Sequence, residues 1–209
     1  NGANGQLTNC ASYLSDYDNS VFDMIVNTWK ASGDCAGGLA GYNDGLIQFD
    51  EDASNIVVKA VSSVVAGRNF VGGRIGFNDR NGKLDTDYAL IGGRIYGYGD
   101  AVGGCIGLNA SEEVFNEKLV IRPQGIRGRY CVGGVIGADV VELSQDRTAL
   151  DFRTDNALGS ISITGRAFTG GVIGYQRTYT QEQLDQAAEK AGINIPAGEN
   201  VPIADYMML

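Results

Sequence analysis

Three groups of residues in this sequence could do chemistry: an oxygen-rich segment, a column of arginines and four cysteines. The segment 78–87, NDRNGKLDTD, carries the carboxylate and amide oxygens that Ca²⁺ prefers. When Gly82 is aligned with the glycine of the helix–loop–helix calcium pattern, Phe77 falls at the first ligand position, where an oxygen ligand is needed. We therefore predict that Asn81–Gly82 forms a tight hairpin turn, with calcium binding as the alternative.

Other residues with catalytic or metal-binding potential form no recognisable pattern. We expect Asp16, Asp18 and the run 50–52 to be solvated loop charges, again with calcium as the alternative. The sequence has no histidine, which excludes His-ligated metal sites and hydrolases with a histidine base. No two carboxylates are spaced in a way that suggests glycoside cleavage. We predict no catalytic residue, no metal site, no cofactor and no enzymatic activity.

Arginines recur at one position of the chain's repeats, as Gly–Arg pairs that contain Arg68, Arg129 and Arg166. We expect these arginines to pair with loop carboxylates such as Asp100. The alternative is that the column forms a surface stripe that binds acidic sugars. A sugar-binding face should also show exposed aromatic side chains in a row, and the candidates are Tyr96, Tyr98 and Tyr130.

The four cysteines are even in number, which is compatible with an oxidising compartment. If the repeats stack simply, Cys105 and Cys131 lie one coil apart but about 13 Å apart along the strand direction. Bridged α-carbons lie within about 7 Å of each other, so this pair is not expected to form a disulfide. The sequence favours a Cys10–Cys35 disulfide that fastens the N-terminal segment to the first coil, with free buried thiols as the alternative.

A short glycine motif, G-G-x-x-G, sets the positions of these residues. It begins at positions 37, 72, 103, 133 and 170, so successive copies are 35, 31, 30 and 37 residues apart. Glycine inside a strand usually marks a close approach of two backbones, and its recurrence predicts stacked coils. The motif glycines are Gly37, Gly38, Gly41, Gly72, Gly73, Gly76, Gly103, Gly104, Gly107, Gly133, Gly134, Gly137, Gly170, Gly171 and Gly174.

An amide column follows the motif, two residues after each closing glycine. It consists of Asn43, Asn78, Asn109, Asp139 and Gln176. Such side chains can satisfy backbone groups at a turn and stack on their equivalents in the next coil. Within the motif, Arg74 suggests that one strand face is partly exposed.

Strand-like segments precede the glycine motif, at 56–61, 118–121 and 160–164, because they are rich in β-branched residues between turn residues. The first repeat has helical spacing from Val21 to Trp29, but its alignment with the other repeats favours a strand from Met24. A near-copy of the motif at 92–95 is interpreted as the upstream strand of the third repeat.

The C-terminal residues depart from the repeat pattern. Thr180 and Gln183 form a capping box for a short helix that ends before Gly192. Residues 193–209 then resemble an extended tail. We interpret the helix and tail as a cap over the open end of the last coil, with a docking tail for a neighbouring module as the alternative.

Composition and charge limit the partners. Glycine accounts for 31 of 209 residues, about twice the usual share of roughly 7 %. The net charge of −9 argues against a nucleic-acid partner and against anionic lipid. No run reaches the roughly 18 apolar residues of a membrane span, so direct membrane insertion is not expected. The chain begins at Asn1 without a signal-peptide pattern, and we expect a processed chain or a piece of a longer one.

The motif and its flanks, as in Val71–Gly72–Gly73–Arg74–Ile75–Gly76–Phe77–Asn78, resemble the GLUG motif of large bacterial surface and secreted proteins. The resemblance covers residues 24–177 in five copies. It departs from the pattern at Arg74, where the usual residue is aliphatic, and in the irregular spacing of the copies. The resemblance implies a β-solenoid and an extracellular, adhesin-like scaffold. It implies no catalytic residue.

These observations predict an all-β chain: an N-terminal segment or cap (1–23), a β-solenoid of about five repeats (24–177), and a helix with a tail (178–209). The alternative fold is a β-sandwich built from hairpins. The predicted function is a secreted or cell-surface structural or adhesive module of a bacterial surface protein, appendage or filament. Its expected partners are other modules or subunits, with host or environmental glycans as a further class. The alternative is a domain that binds or cleaves polysaccharide.

Overall fold

The computed structural model describes residues 2, 6–8, 12–13, 28–30, 33–48, 58–61, 64–85, 88–91, 93–112, 118–121, 123–142 and 161–192. Within these ranges the chain forms twenty-two short β-strands and one α-helix, so the predicted all-β class is confirmed. Among the described helices, none combines the length and the apolar character of a membrane span.

The strands, numbered in chain order, belong to five sheets. Sheet 1 contains β1 (Gln6–Thr8), β6 (Leu46–Gln48) and β11 (Lys83–Asp85). Sheet 2 contains β2 (Ser12–Tyr13), β7 (Val58–Val61), β12 (Tyr88–Ile91) and β16 (Lys118–Ile121). Sheet 3 contains β3 (Thr28–Lys30), β8 (Val64–Gly67), β13 (Arg94–Gly97), β17 (Gly125–Arg127) and β20 (Ile163–Thr164).

Sheets 4 and 5 carry the glycine motif. Sheet 4 contains β4 (Ala36–Gly37), β9 (Val71–Gly72), β14 (Asp100–Gly103), β18 (Tyr130–Gly133) and β21 (Ala167–Gly170). Sheet 5 contains β5 (Ala40–Asn43), β10 (Ile75–Asn78), β15 (Ile106–Asn109), β19 (Ile136–Glu142) and β22 (Ile173–Tyr179). We call the strands that one repeat contributes a rung, so rung one contains β4 and β5, and rung five contains β21 and β22.

Equivalent strands of successive repeats pair in parallel and in register. Ile75 pairs with Ala40 on one side and with Ile106 on the other, and Ile106 in turn pairs with Ile136. The pairings recorded between described strands are all parallel, whereas hairpins make antiparallel pairs. A sandwich built from hairpins is therefore the wrong alternative for these sheets.

The upstream strands agree with the sequence in most repeats. Strand β16 spans the predicted 118–121, β7 covers 58–61 of the predicted 56–61, and β13 corresponds to the near-copy at 92–95. The predicted strand at 160–164 is reduced to Ile163–Thr164. The predicted onset at Met24 lies outside the described residues, and β3 begins at Thr28.

The turn at Asn81–Gly82 is present, but it is not a hairpin. The Gly82 N–H donates to the Asp79 carbonyl at 2.8 Å, which closes a tight turn. The flanking strands β10 and β11 belong to sheets 5 and 1, and each pairs with the equivalent strand of another repeat. The turn therefore leads the chain from one sheet to another, and the hairpin prediction was wrong.

The core consists of columns that run through the rungs. One cluster contains Ile75, Ile106 and Ile136, and a second contains Val71, Val102 and Val132, all fully buried. Burial of each such side chain contributes about 1.5–3 kcal/mol relative to exposure. Because neighbouring members of a column come from different repeats, each rung depends on the next for its apolar burial.

Arg74 lies in the interior, contrary to its predicted partial exposure. It is fully buried, and its column neighbour Cys105 is fully buried as well. The Arg74 N–H donates to the Cys105 carbonyl at 3.0 Å, in the same register as the rest of the stack. The position within the column, rather than the polarity of the side chain, therefore decides its burial.

Helix α1 (Gln181–Ala191) follows the last strand and confirms the predicted helix. The Thr180 side chain accepts from the Gln183 N–H, the Gln183 side chain accepts from the Thr180 N–H, and Gly192 ends the helix at φ 71°. Leu184 and Ala188 are fully buried and belong to the same core cluster as strand residues of rungs two to five. The helix is therefore part of the core.

Candidate functional site

The first and closing motif glycines form a corner at which the backbones of sheets 4 and 5 touch. A Cβ on Gly103 would lie 2.6 Å from the Gly137 nitrogen, with the Ile106 carbonyl oxygen closer still. A Cβ on Gly107 would lie 2.6 Å from the Gly76 carbonyl oxygen. Real Cβ atoms do not approach this closely, so any side chain would push the two sheets apart. We call these ten glycines the glycine corner.

A second column, two residues before each copy of the motif, has left-handed backbone conformation without glycine. Its φ angles lie between 53° and 61°. This conformation costs roughly 1–2 kcal/mol for a residue with a Cβ. This column gives no signal in the sequence, because none of its residues is Gly or Asn, the residue types that usually mark positive φ. Its members are Cys35, Phe70, Ala101, Cys131 and Phe168.

Burial accompanies this backbone strain. Phe70, Ala101 and Cys131 are buried in the same core cluster as Phe77 and Leu108 of sheet 5. At these three positions the left-handed residue thus combines a change of chain direction with a side chain directed into the core. The burial of the side chain offsets the cost of the backbone conformation.

The amide column forms a continuous ladder of side-chain hydrogen bonds. Asn43 Nδ2 donates to Asn78 Oδ1 at 2.8 Å, and Asn78 Nδ2 donates to Asn109 Oδ1 at 3.0 Å. Asn109 Nδ2 donates to Asp139 Oδ1 at 2.8 Å, and Gln176 Nε2 donates to Asp139 Oδ2 at 2.9 Å. The first four side chains are fully buried. The ladder therefore joins all five rungs through polar contacts inside the core.

The arginine column lies on the surface, and two of its three members lie beside carboxylates. Arg68 makes a bidentate pair with Asp34, with Nε to Oδ1 at 2.9 Å and Nη2 to Oδ2 at 2.8 Å. The Arg129 Nε lies 3.9 Å from the Asp100 Oδ1. Asp34 and Asp100 are equivalent positions of rungs one and three. The structure thus places two of the three arginines beside loop carboxylates of the preceding rung.

The Arg68–Asp34 pair predicts a pH dependence of stability. The hydrogen bond from Arg68 lowers the pKa of Asp34 from its usual value. The pair therefore stabilises the fold above the ordinary carboxyl pKa of about 4, and this contribution is lost as the pH falls through the lowered value. We expect urea midpoints measured between about pH 5 and pH 2 to fall less steeply for Asp34→Asn than for the wild type. Identical slopes would contradict this role of the pair.

The candidate tyrosines do not form a row. Tyr98 is 69 % exposed, whereas Tyr96 and Tyr130 are half-buried. Tyr96 pairs with Arg127 in sheet 3, and Tyr130 pairs with Ala167 in sheet 4. The three residues therefore occupy three different columns, and the expected line of exposed aromatic side chains is absent from these positions.

The described cysteines are thiols. Cys35 and Cys131 are free thiols, which gives the predicted Cys10–Cys35 disulfide no support, and Cys10 itself lies outside the described residues. Burial, together with the nearby charge of Asp34, raises the pKa of Cys35 to about 11. Cys35 lies at the corner between sheets 3 and 4, and its side chain packs against the core. Its left-handed backbone conformation gives the side chain this direction.

Cys131 is expected to resist alkylation while the protein is folded. Burial, with a smaller effect of the Asp100 charge, raises the pKa of its thiol to about 11, so the thiol stays neutral near pH 8. Brief exposure to iodoacetamide followed by peptide mass spectrometry should show little label on Cys131 in buffer and full label in urea. Equal labelling under the two conditions would contradict the buried position.

The oxygen-rich segment directs its polar groups at the protein. Asn78 Nδ2 donates to the Gly82 carbonyl at 3.1 Å as well as to the ladder, and Asp79 Oδ2 accepts from the Tyr42 hydroxyl at 2.6 Å. Within the described ranges, no three acidic or cysteine side chains are grouped as metal ligands. The other calcium candidates, Asp16, Asp18 and residues 50–52, lie outside the described residues.

Among known proteins, the chain is similar in sequence to halomucin. The chain is 28 % identical over 179 residues to halomucin from Haloquadratum walsbyi (strain DSM 16790 / HBSQ001), an alignment that covers 82 % of the chain. The chain spans about 2 % of the length of that relative. No family model and no solved structure matches the chain.

Proposed function

We propose that this chain is a β-solenoid segment of the GLUG-like kind that serves as a structural module of a surface or secreted protein. The observation that carries the proposal is the in-register parallel pairing of equivalent strands from five repeats. An array of this kind builds a rigid, extended body from short units, and its length follows from the number of units.

Two further features support a structural role. The amide ladder and the glycine corner run through all five rungs, so the positions that recur most strictly in the sequence hold the rungs together. The similarity to a small part of halomucin favours a module within a longer surface or secreted protein. Its partners are then neighbouring modules or subunits of a surface assembly.

Localisation of the full-length protein tests this function. An antibody against the chain should label intact cells or the culture medium of the source organism, and external protease should remove the cell-associated signal. A cytoplasmic marker protein, probed in the same samples, controls for lysis. Detection of the protein only after lysis would contradict a surface or secreted module.

Polysaccharide binding is the second candidate, because the exposed Tyr98 is adjacent in register to Arg68 at the corner of sheets 3 and 4. Aromatic and guanidinium groups together can hold an acidic sugar. We expect the purified chain to show neither saturable binding nor cleavage on a panel of acidic polysaccharides. Saturable binding that is lost in Tyr98→Ala, or any cleavage, would favour the carbohydrate-active alternative.

A further inference from the structure

Rung five presents apolar groups to solvent that every inner rung buries. Phe168 is 59 % exposed and Val172 is 37 % exposed. Their column equivalents in rung four, Cys131 and Val135, are both buried. The side-chain types are similar, so the difference arises because β21 and β22 lie at the edges of their sheets. The end of the stack therefore exposes two apolar side chains whose equivalents in rung four are buried.

The backbone at this end continues the hydrogen-bond pattern of the stack. The Cys105 N–H donates to the Val135 carbonyl, and the Val135 N–H donates to the Val172 carbonyl, both at 2.8 Å. The Val172 N–H thus points past rung five, where no described strand follows. An N–H of this kind at a sheet edge can pair with a further strand, because a sheet edge is a template for strand addition.

The opposite end of the stack offers the complementary groups. Strands β4 and β5 lie at the other edges of sheets 4 and 5. At the position of Val172, the equivalent residues of the other rungs are Leu39, Arg74, Cys105 and Val135. Each carbonyl at this position accepts from the N–H of the preceding rung, so the Leu39 carbonyl of rung one faces outward. Tyr42 of the same rung is 41 % exposed, and Leu39 is half-buried. The Val172 N–H at one end therefore matches the Leu39 carbonyl at the other, and each end also exposes apolar side-chain surface.

We propose that rung five docks onto rung one of a second copy of this chain, so that the stack continues from one copy to the next. The proposal rests on the solenoid function proposed above and names its partner. The contact uses two different surfaces of each molecule, and a head-to-tail contact of this kind adds further copies unless the ring closes. The second copy would bury Phe168 and Val172 as the inner rungs bury their equivalents.

Sedimentation velocity of the purified, reduced chain over a concentration series tests the contact. We expect the weight-average mass to rise with concentration and to pass the mass of a dimer. The double variant Phe168→Glu/Val172→Glu should remain monomeric, because it places charges on the docking surface. The matched control Tyr98→Glu, which alters an equally exposed aromatic residue of an inner rung, should assemble like the wild type.

Cross-linking tests the register of the contact. In the proposed junction Leu39 of one copy pairs with Val172 of the next, at a strand spacing of about 4.8 Å that a disulfide can span. Leu39→Cys/Val172→Cys should therefore give a ladder of covalent oligomers on non-reducing gels after oxidation. Leu39→Cys/Tyr98→Cys and the two single variants, which retain the native thiols, should not give this ladder.

A wild type that stays monomeric at all concentrations would overturn the proposal. This holds even if another segment of the same chain, such as residues 193–209, covers rung five. Assembly that survives Phe168→Glu/Val172→Glu, or assembly without the specific cross-link, would also overturn it. These failures differ from a failure of the solenoid, because contacts between Ile75 and Ile106 within one copy remain measurable in a monomer.

Discussion

Gly103→Ala is expected to lower the free energy of unfolding by about 3 kcal/mol, the upper end of the usual range for overpacking, because a clash with backbone cannot be relieved by a rotamer change. The new Cβ would lie 2.6 Å from the Gly137 nitrogen of rung four, with the Ile106 carbonyl oxygen closer still. Either the turn between β14 and β15 opens or rungs three and four separate. Urea denaturation, followed by circular dichroism, measures the loss.

Two glycine variants serve as matched controls. A Cβ on Gly33 or on Gly171 would meet no atom within 4 Å, and neither residue has a positive φ. Gly33→Ala and Gly171→Ala should therefore leave stability unchanged or raise it by up to about 1 kcal/mol through a less flexible unfolded chain. Gly171 belongs to the motif but is not crowded. Comparing Gly171→Ala with Gly103→Ala therefore shows whether crowding or membership of the motif determines the loss of stability. Equal midpoints for Gly103→Ala and Gly171→Ala would contradict the crowded corner.

Asn109→Ala is expected to cost at least about 2 kcal/mol, because a buried polar group that loses its partner costs about 1–3 kcal/mol. Asn109 donates to Asp139 Oδ1 and to the Ser111 carbonyl, and it accepts from Asn78 Nδ2. The substitution removes these bonds together and breaks the ladder in its centre. Urea midpoints at neutral pH provide the measurement.

Gln176→Ala provides the control at the end of the ladder. Gln176 is exposed and makes one ladder bond, from its Nε2 to Asp139 Oδ2. Its loss should cost less than about 1 kcal/mol, since water can replace the partner. If Asn109→Ala and Gln176→Ala destabilise the fold equally, the buried ladder does not hold the rungs together.

The repeat alignment predicted much of the described fold because stacking converts sequence columns into spatial columns. Gly72, Gly103 and Gly133 align in sequence and pair in register in sheet 4. The amide column likewise follows directly from the alignment, since equal positions in successive rungs lie one strand spacing apart. The repeats differ in length only in the segments between these columns, so the columns themselves stay in register.

Other features depend on three-dimensional context that a single sequence does not carry. The left-handed column contains Phe70 and Ala101, residue types that do not signal positive φ, and only the sharp corner between sheets 3 and 4 requires it. The burial of Arg74 follows from its column, not from its charge. The Cys10–Cys35 disulfide was favoured because the spacing of Cys105 and Cys131 argued against that other pair. Such spacing carries no information about the direction in which the Cys35 side chain points.

The most direct test of the stack is a methyl NOE spectrum of the chain with labelled isoleucines. Ile75, Ile106 and Ile136 lie in one buried column on adjacent parallel strands. At a strand spacing of about 4.8 Å, cross-peaks should connect Ile75 with Ile106 and Ile106 with Ile136. Methyl groups that show cross-peaks only within their own repeats would contradict the in-register parallel stack.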